Sequence, residues 1–341
     1  MRVATYYNNN TVKLEERPVP QIGPHEILVK TIASGICGSD VMEWYRIKKA
    51  PIVLGHEITG VIEKTGSAVT TFKQGDRVSV SHHVPCNTCY HCLRGNHTVC
   101  HTLHTTNFDP GGFSEFIRVP QINVDRGTFI LPDTVSFEDG VYIEPLGCVI
   151  RGLRSSGFRA GDSVLILGSG ISGLLFLLLA QALGAGKVFT TDISGYRLKM
   201  AQRLGATAVL SAGENIPEKI KNQNNGRLAD IVIVCAGALA AYDQALKSVE
   251  CGGTILCFAP TDPNTKLVIP ANDFWRNAIT ILPSYASSPL DTKLAIELID
   301  SKRVPVSRLT THRFGLQDTD KGFKLVAEAN ESMKVIIEPQ R

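Results

Sequence analysis

The sequence has almost no net charge. Thirty-five Lys and Arg stand against 32 Asp and Glu, a formal +3. No long basic run occurs; Arg46-Ile47-Lys48-Lys49 is the densest stretch and reads as a solvated loop. A dedicated nucleic-acid surface needs a basic stripe, so this balance argues against one. No membrane-length apolar run occurs either. The stretch from Ile171 to Ala180 is too short to span a bilayer and is followed by Gln181. The chain opens Met-Arg-Val-Ala with no apolar signal segment, and its nine cysteines are an odd number. Both features speak against a secreted disulfide framework and for a reducing, cytoplasmic compartment. Repeats and low-complexity tracts are missing too. What remains is an ordinary globular composition, 43% hydrophobic over 341 residues, long enough for about two domains with real cores.

Four of the cysteines are not scattered. Cys86, Cys89, Cys92 and Cys100 form C-x2-C-x2-C-x7-C inside fifteen residues. Thiolates so close together converge on one tetrahedral zinc with no other ligand, a closed structural site. Such a knuckle also occurs in nucleic-acid binders, so the rest of the chain has to decide its meaning.

Two textures divide the chain. Up to about residue 150, short alternating apolar runs are broken by Gly and Pro, as in Ile27-Leu28-Val29-Lys30, Gly60-Val61-Ile62-Glu63 and Asp76-Arg77-Val78-Ser79-Val80. This pattern predicts a mostly β domain with long loops. From Asp162 the run Ser163-Val164-Leu165-Ile166-Leu167 predicts a buried parallel strand. A helix from Ile171 to Leu183 follows, then strands at 187–191, 207–210, 231–234 and 254–258, with helices at 196–204 and 240–249. This is the rhythm of a doubly wound α/β domain with a parallel sheet. The tail adds a strand at 280–282, a helix at 290–300 and a strand at 333–337 that returns to the first domain.

Gly168-Ser169-Gly170-Ile171-Ser172-Gly173 is G-x-G-x-x-G, placed between a predicted strand and a predicted helix. That context reads as a dinucleotide site. Gly168 makes the tight turn, Gly170 admits the pyrophosphate to the backbone, and Gly173 allows close helix–strand packing. Nineteen residues past Gly173, Asp192 ends the next strand. Its carboxylate suits the ribose hydroxyls and repels a 2′-phosphate, which favours NAD over NADP. Arg197 stands close enough to offset part of that repulsion. The plainer alternative is a tight turn with Asp192 as a helix cap.

Cys37, followed by Ser39 and Asp40, and the triplet Gly55-His56-Glu57 supply a thiolate, an imidazole and a carboxylate suited to a second zinc. With them the chain resembles zinc-containing members of the medium-chain dehydrogenase/reductase superfamily, the alcohol, sorbitol and threonine dehydrogenase group. The resemblance rests on Gly55-His56-Glu57-x-x-Gly60 with Gly66 and Val69, Gly75-Asp76-Arg77-Val78, and the cysteine quartet. It also rests on Gly111-Gly112-Phe113-Ser114-Glu115-Phe116, Glu144-Pro145-Leu146 and the glycine motif, and so covers nearly the whole chain. It implies a GroES-like catalytic domain over 1–150, a Rossmann NAD-binding domain over 151–284, and a segment 285–341 that completes the first, with the active site in the cleft between domains.

The resemblance also implies roles. Cys37, His56, Glu57 and Glu144 are expected around a catalytic zinc, and for Glu57 and Glu144 the alternative is support of the ligands from behind. Asp40 is expected to hold His56, and Ser39 to bond the substrate oxygen and pass its proton onward. Gly168, Gly170, Ile171, Ser172, Gly173, Asp192, Arg197, Cys235, Ala236, Ser284 and Tyr285 are expected to line the cofactor. The implied reaction is reversible hydride transfer from a secondary alcohol (a polyol, a sugar derivative or a hydroxy acid) to NAD, giving a ketone, in a homodimer or homotetramer with two zinc ions per chain. The departures are informative. Many relatives pass the substrate proton to a His five residues after the first Cys ligand, where this chain has Met42. Glu43, Glu57 with a water, or ordered water alone remain as exits. Polyol dehydrogenases carry an Arg near Ser284, and here the nearest is Arg276. Phe108 is either a pocket wall or a core aromatic. His82, His83, His91, His97, His101 and His104 crowd the quartet and read as polar loop residues. The rival readings are a reductase of the same fold without the catalytic zinc, a zinc-knuckle nucleic-acid binder, and an NAD(H) sensor without turnover.

Overall fold

The structure, a computed structural model, describes every residue from Met1 to Arg341. It divides into two compact units, one formed by Met1–Gly147 with Ala286–Arg341, the other by Cys148–Tyr285.

In the second unit, Ser163–Leu167 is buried at every position. A strand buried at every position needs cover on both faces, which a sheet between helices provides. Six parallel strands form that sheet, in the spatial order Ala208–Ser211, Lys187–Asp192, Ser163–Leu167, Ala229–Val234, Val249–Cys257 and Thr280–Pro283. The order reverses at Ser163–Leu167, which makes this a doubly wound sheet. The helix Ile171–Ala182 is apolar nearly all round and buries its length from Gly173 to Ala180. One strand departs from expectation. The run expected from Thr254 begins at Val249, because a register shift opposite Ala229 and Ile231 absorbs Cys251-Gly252-Gly253, with Gly252 at φ +75°.

The first unit is β-rich. Its main sheet runs Thr310–Gly315, Lys334–Glu338, Ile27–Gly35, Glu57–Thr65, Arg77–Ser81, Thr128–Ile130, and Phe116–Val119 also pairs with Ile27–Gly35. A smaller sheet joins Thr11–Glu16, Arg2–Asn8 and Ile52–Val53. Alternate residues of the central strands, including Ile27, Val29, Ile58, Ile62, Val78 and Val80, close one core with Phe108. Phe108 is therefore a core aromatic. The final strand is Lys334–Glu338, one residue later than expected, and it lies antiparallel to Ile27–Gly35. No helix of the chain is long and apolar enough to cross a membrane.

Candidate active site and metal centres

Sheet register assembles the first site. Gly35 pairs with Glu57, Glu57 with Ser81, and Ile336 with Gly35. The residues flanking this row therefore gather at one end of the sheet: Cys37 two past Gly35, His56 beside Glu57, His82 after Ser81, and Lys334 two before Ile336. Gly35 makes room for the row. A Cβ there would stand 2.1 Å from Glu57 Oε2. Beyond Gly35 the chain enters a 3-10 turn, Gly38–Val41, capped by Cys37. The N–H of Ser39 and its hydroxyl both donate to Cys37 Sγ at 3.4 Å. The N–H of Cys37 donates to Asp40 Oδ2 at 3.1 Å. The ligand atoms of Cys37, His56 and Glu57 then lie within 4.8 Å of one another.

Sulfur, imidazole nitrogen and carboxylate oxygen are a donor set suited to zinc. The electrostatics agree. His56 Nδ1 lies 3.3 Å from Asp40 Oδ1, which leaves Nε2 as the second ring nitrogen for a metal. Glu57 is fully buried, and its Oε2 pairs with Lys334 Nζ at 2.5 Å. Its Oε1 is buried with no hydrogen-bond partner. An orphaned buried acceptor costs on the order of 1–3 kcal/mol, and a cation among these three residues would satisfy it. The site thus fits zinc on its own geometry. Burial would raise the Asp40 carboxyl, but His56, Arg46 and the N–H of Cys37 outweigh it and hold the group below the usual range. Burial opposes charge on His56 as well, yet Asp40 and Cys37 together hold the metal-free ring well above its ordinary pKa.

Two expectations need correction, and Glu144 stands outside the cluster. It lines a small pocket with Ser81, His82, His83, Ala286 and Ser287, on the helix Ile143–Ser155 rather than on the sheet row. His82 and His83 are not solvated loop residues. The His82 ring packs 4.8 Å from His56 and 3.8 Å from His83, because both follow the strand Arg77–Ser81 into the site. Burial lowers both, His82 well below its ordinary value and His83 to about 4, so both rings are neutral at physiological pH. By contrast, His91, His101 and His104 are exposed, as the loop reading expects. Arg46 is not a solvated loop residue either. Its side chain is only 13% exposed and reaches Ser39 and Asp40.

The cysteine quartet forms a separate cluster of sulfur atoms. Cys89 caps the helix Tyr90–Leu93, which carries Cys92, and Cys100 caps His101–Thr105. The Cys89 N–H donates to Cys86 Sγ at 3.2 Å, and the Cys86 N–H to Cys100 Sγ at 3.4 Å. Such N–H donors favour thiolate; those of Thr88 and Cys89 pull Cys86 below its usual pKa, whereas burial pushes Cys92 up. Four sulfurs and no carboxylate or imidazole make a closed zinc-binding set.

In the second unit Gly168 has φ +102°, and a Cβ on Gly173 would stand 2.0 Å from the Gly168 carbonyl oxygen. The helix from Ile171 has no side chain capping its start, so its first N–H groups face outward, ready for an anion. Asp192 is buried and accepts from the N–H of Ser169 and of Ser194, each at 2.8 Å, with Arg197 Nη1 at 3.9 Å. Cys235 follows the strand Ala229–Val234 and donates its N–H to Leu167, which brings Cys235 and Ala236 against the Gly168 turn. The Ser284 hydroxyl is buried without a partner just past the edge strand, and Tyr285 beside it is half exposed. The turn, the open helix start and the placed acid fit a dinucleotide.

Comparison with known proteins agrees with this geometry. Residues 23–128 match the family described as alcohol dehydrogenase GroES-like domain, and residues 172–301 the family described as zinc-binding dehydrogenase. The chain is 33% identical to the sorbitol dehydrogenase of Bacillus subtilis over 100% of its length and 98% of that protein's. It is also 33% identical to D-xylulose reductase A of Aspergillus oryzae, over 96% of this chain and 93% of that one. A zinc-binding dehydrogenase of Sinorhizobium meliloti 1021, solved with NADP, superposes with a TM-score of 0.88 at 26% identity over 99% of both chains. Cover of this extent, together with both cysteine-bearing sites and the glycine turn, identifies the chain as a member of the zinc-containing medium-chain dehydrogenase superfamily.

Proposed function

We propose that this zinc-dependent oxidoreductase acts on a polyol or a sugar-derived secondary alcohol, with NAD as its cofactor, at the site built on Cys37, His56 and Glu57. The observation that carries this reading is the sulfur–nitrogen–oxygen cluster with its buried, orphaned Glu57 oxygen. When bound, zinc supplies a Lewis acid for the substrate oxygen and the nicotinamide an acceptor for hydride. The chain does the rest. Cys37, His56 and Glu57 hold the metal, and Asp40 fixes the His56 ring through Nδ1. Ser39 accepts a hydrogen bond from the substrate hydroxyl. Gly168, Gly170 and Gly173 admit the pyrophosphate to the start of the helix at Ile171, and Asp192 takes the ribose. Ile171, Ser172, Cys235, Ala236, Ser284 and Tyr285 complete the cofactor contacts, and Glu144 supports the metal site from the neighbouring pocket.

Substrate class follows the two relatives named for sorbitol and xylulose. NAD rather than NADP follows Asp192, whose charge a 2′-phosphate would meet. Self-association is part of the same reading. The sheet ends in an edge strand, Thr280–Pro283, and close to it in sequence Val268 and Trp275 are more than four-fifths exposed. Bare edges and large exposed apolar side chains are features a second copy would cover. Nine free cysteines fit a reducing, cytoplasmic compartment. The test is a screen of cofactor reduction over polyols, simple secondary alcohols and hydroxy acids, run with NAD⁺ and with NADP⁺. Faster reduction by polyols with NAD⁺ is expected, and no reduction with any of them would overturn the reading.

A further inference from the structure

We infer that Arg46 is a positioning residue of this site, clamping Ser39 and Asp40 in place; the inference rests on the proposed role of Cys37, His56 and Ser39. Arg46 ends a single helical turn, Glu43–Arg46, and its N–H donates to the Met42 carbonyl at 3.1 Å. From there its guanidinium turns back onto the 3-10 turn that carries Ser39. Nε donates to the Ser39 carbonyl at 2.9 Å. Nη2 donates to Ser39 Oγ at 3.1 Å and lies 3.4 Å from Asp40 Oδ1. The face of Tyr45 lies 4.7 Å from the guanidinium carbon and restricts it further.

These contacts fix what Ser39 can do. A hydroxyl has one proton to donate and two lone pairs. Its proton points to Cys37 Sγ, and Arg46 fills one lone pair. A single lone pair remains, and it is the one available to a substrate hydroxyl. Arginine has donors only, so no proton leaves Ser39 through Arg46. Ser39 is thereby held as an orienting acceptor at one fixed direction. Asp40 gains as well. Its Oδ1 faces both His56 Nδ1 and Arg46, and Arg46 carries a permanent charge. The carboxylate behind His56 therefore keeps a cationic neighbour when the imidazole serves as a neutral ligand. A planar, rigid fork with several donors matches this set of three oxygens, whereas an ammonium is a point charge without that fixed geometry.

Arg46→Met, Arg46→Lys, Ser39→Ala and the double variant test the inference against the wild type. Zinc per chain is measured first, together with the absorption spectrum of the enzyme loaded with Co²⁺ at the Cys37 site. The wild type alone decides the site reading: it must hold zinc at Cys37 and turn over an alcohol. For Arg46→Met the expected result is a fall in kcat of about tenfold to a hundredfold with little change in KM, and a shifted Co²⁺ spectrum. Arg46→Lys should recover part of the kcat. In the Ser39→Ala background the Arg46 change should cost much less than alone, because the two act through one hydroxyl. Wild-type kcat and an unchanged spectrum in Arg46→Met would overturn the inference, as would fully additive losses in the double variant. Should Arg46→Met not fold, Arg46→Lys decides: a kcat below the wild type with a shifted Co²⁺ spectrum supports the inference, and wild-type kcat with an unchanged spectrum overturns it.

Discussion

At the scale of single residues, the site is a set of buried charges that balance only in combination. Lys334 and Glu57 are both fully buried, 277 residues apart in sequence. Removing one partner of such a pair leaves the other charged and alone, at a cost of about 3–5 kcal/mol. Lys334→Met should destabilise the zinc-free protein by that order in urea denaturation, and the zinc-loaded protein by less, because the metal then also pairs Glu57. His56 gives a pH prediction. Its raised pKa keeps the ring protonated in the metal-free protein through and above the ordinary histidine range. A ligating imidazole must be neutral, so zinc affinity at this site should rise with pH and fall as the solution is acidified. Competitive zinc titrations at several pH values, with proton release recorded, check both sign and range. Cys37, His56 and Glu57 were legible as ligand types in the sequence. Arg46, His82 and His83 were not, since polar residues near a basic or histidine-rich stretch look solvated until the turn Glu43–Arg46 and the strand Arg77–Ser81 show where they point.

At the scale of elements, strands carried the clearest sequence signal and the positions of side chains the weakest. The run Ser163–Leu167 and the glycine turn after it announced their strand and helix within a residue. Val249–Cys257 was half hidden because Gly252-Gly253 breaks the pattern that a bulge then accommodates. Glu144 was expected among the ligands by resemblance. It stands in the first turn of a helix and faces the pocket with His82 and His83, a distinction that spacing alone does not carry. The quartet is an element in its own right. Its two short helices, Tyr90–Leu93 and His101–Thr105, are too brief to persist without a clamp. Cys92→Ser should lower zinc from two ions per chain to one and depress the melting temperature, with activity lost as a consequence. Zinc content and thermal melts on the same preparation distinguish this from loss of the Cys37 site, where the short helices of the quartet stay clamped and the melting temperature should fall less.

At the scale of the whole molecule, the chain builds one unit from both of its ends and inserts the other between them. The sequence showed this only through the final strand, which pairs with Thr310–Gly315 on one side and, across 300 residues, with Ile27–Gly35 on the other. Lys334 enters the metal site by that route, so the last strand serves chemistry as well as folding. The parallel sheet of the other unit leaves one long flank to a bare strand and to exposed Trp275 and Val268. If the proposed self-association uses this flank, the wild type should scatter light as a dimer or larger and Trp275→Glu should shift it toward monomer.

The most direct test of the account compares Cys37→Ser with the wild type for NADH formation from a polyol, with NADH affinity measured alongside. Cys37→Ser is expected to form NADH no faster than background while binding NADH as tightly as the wild type. Wild-type turnover in Cys37→Ser would contradict it.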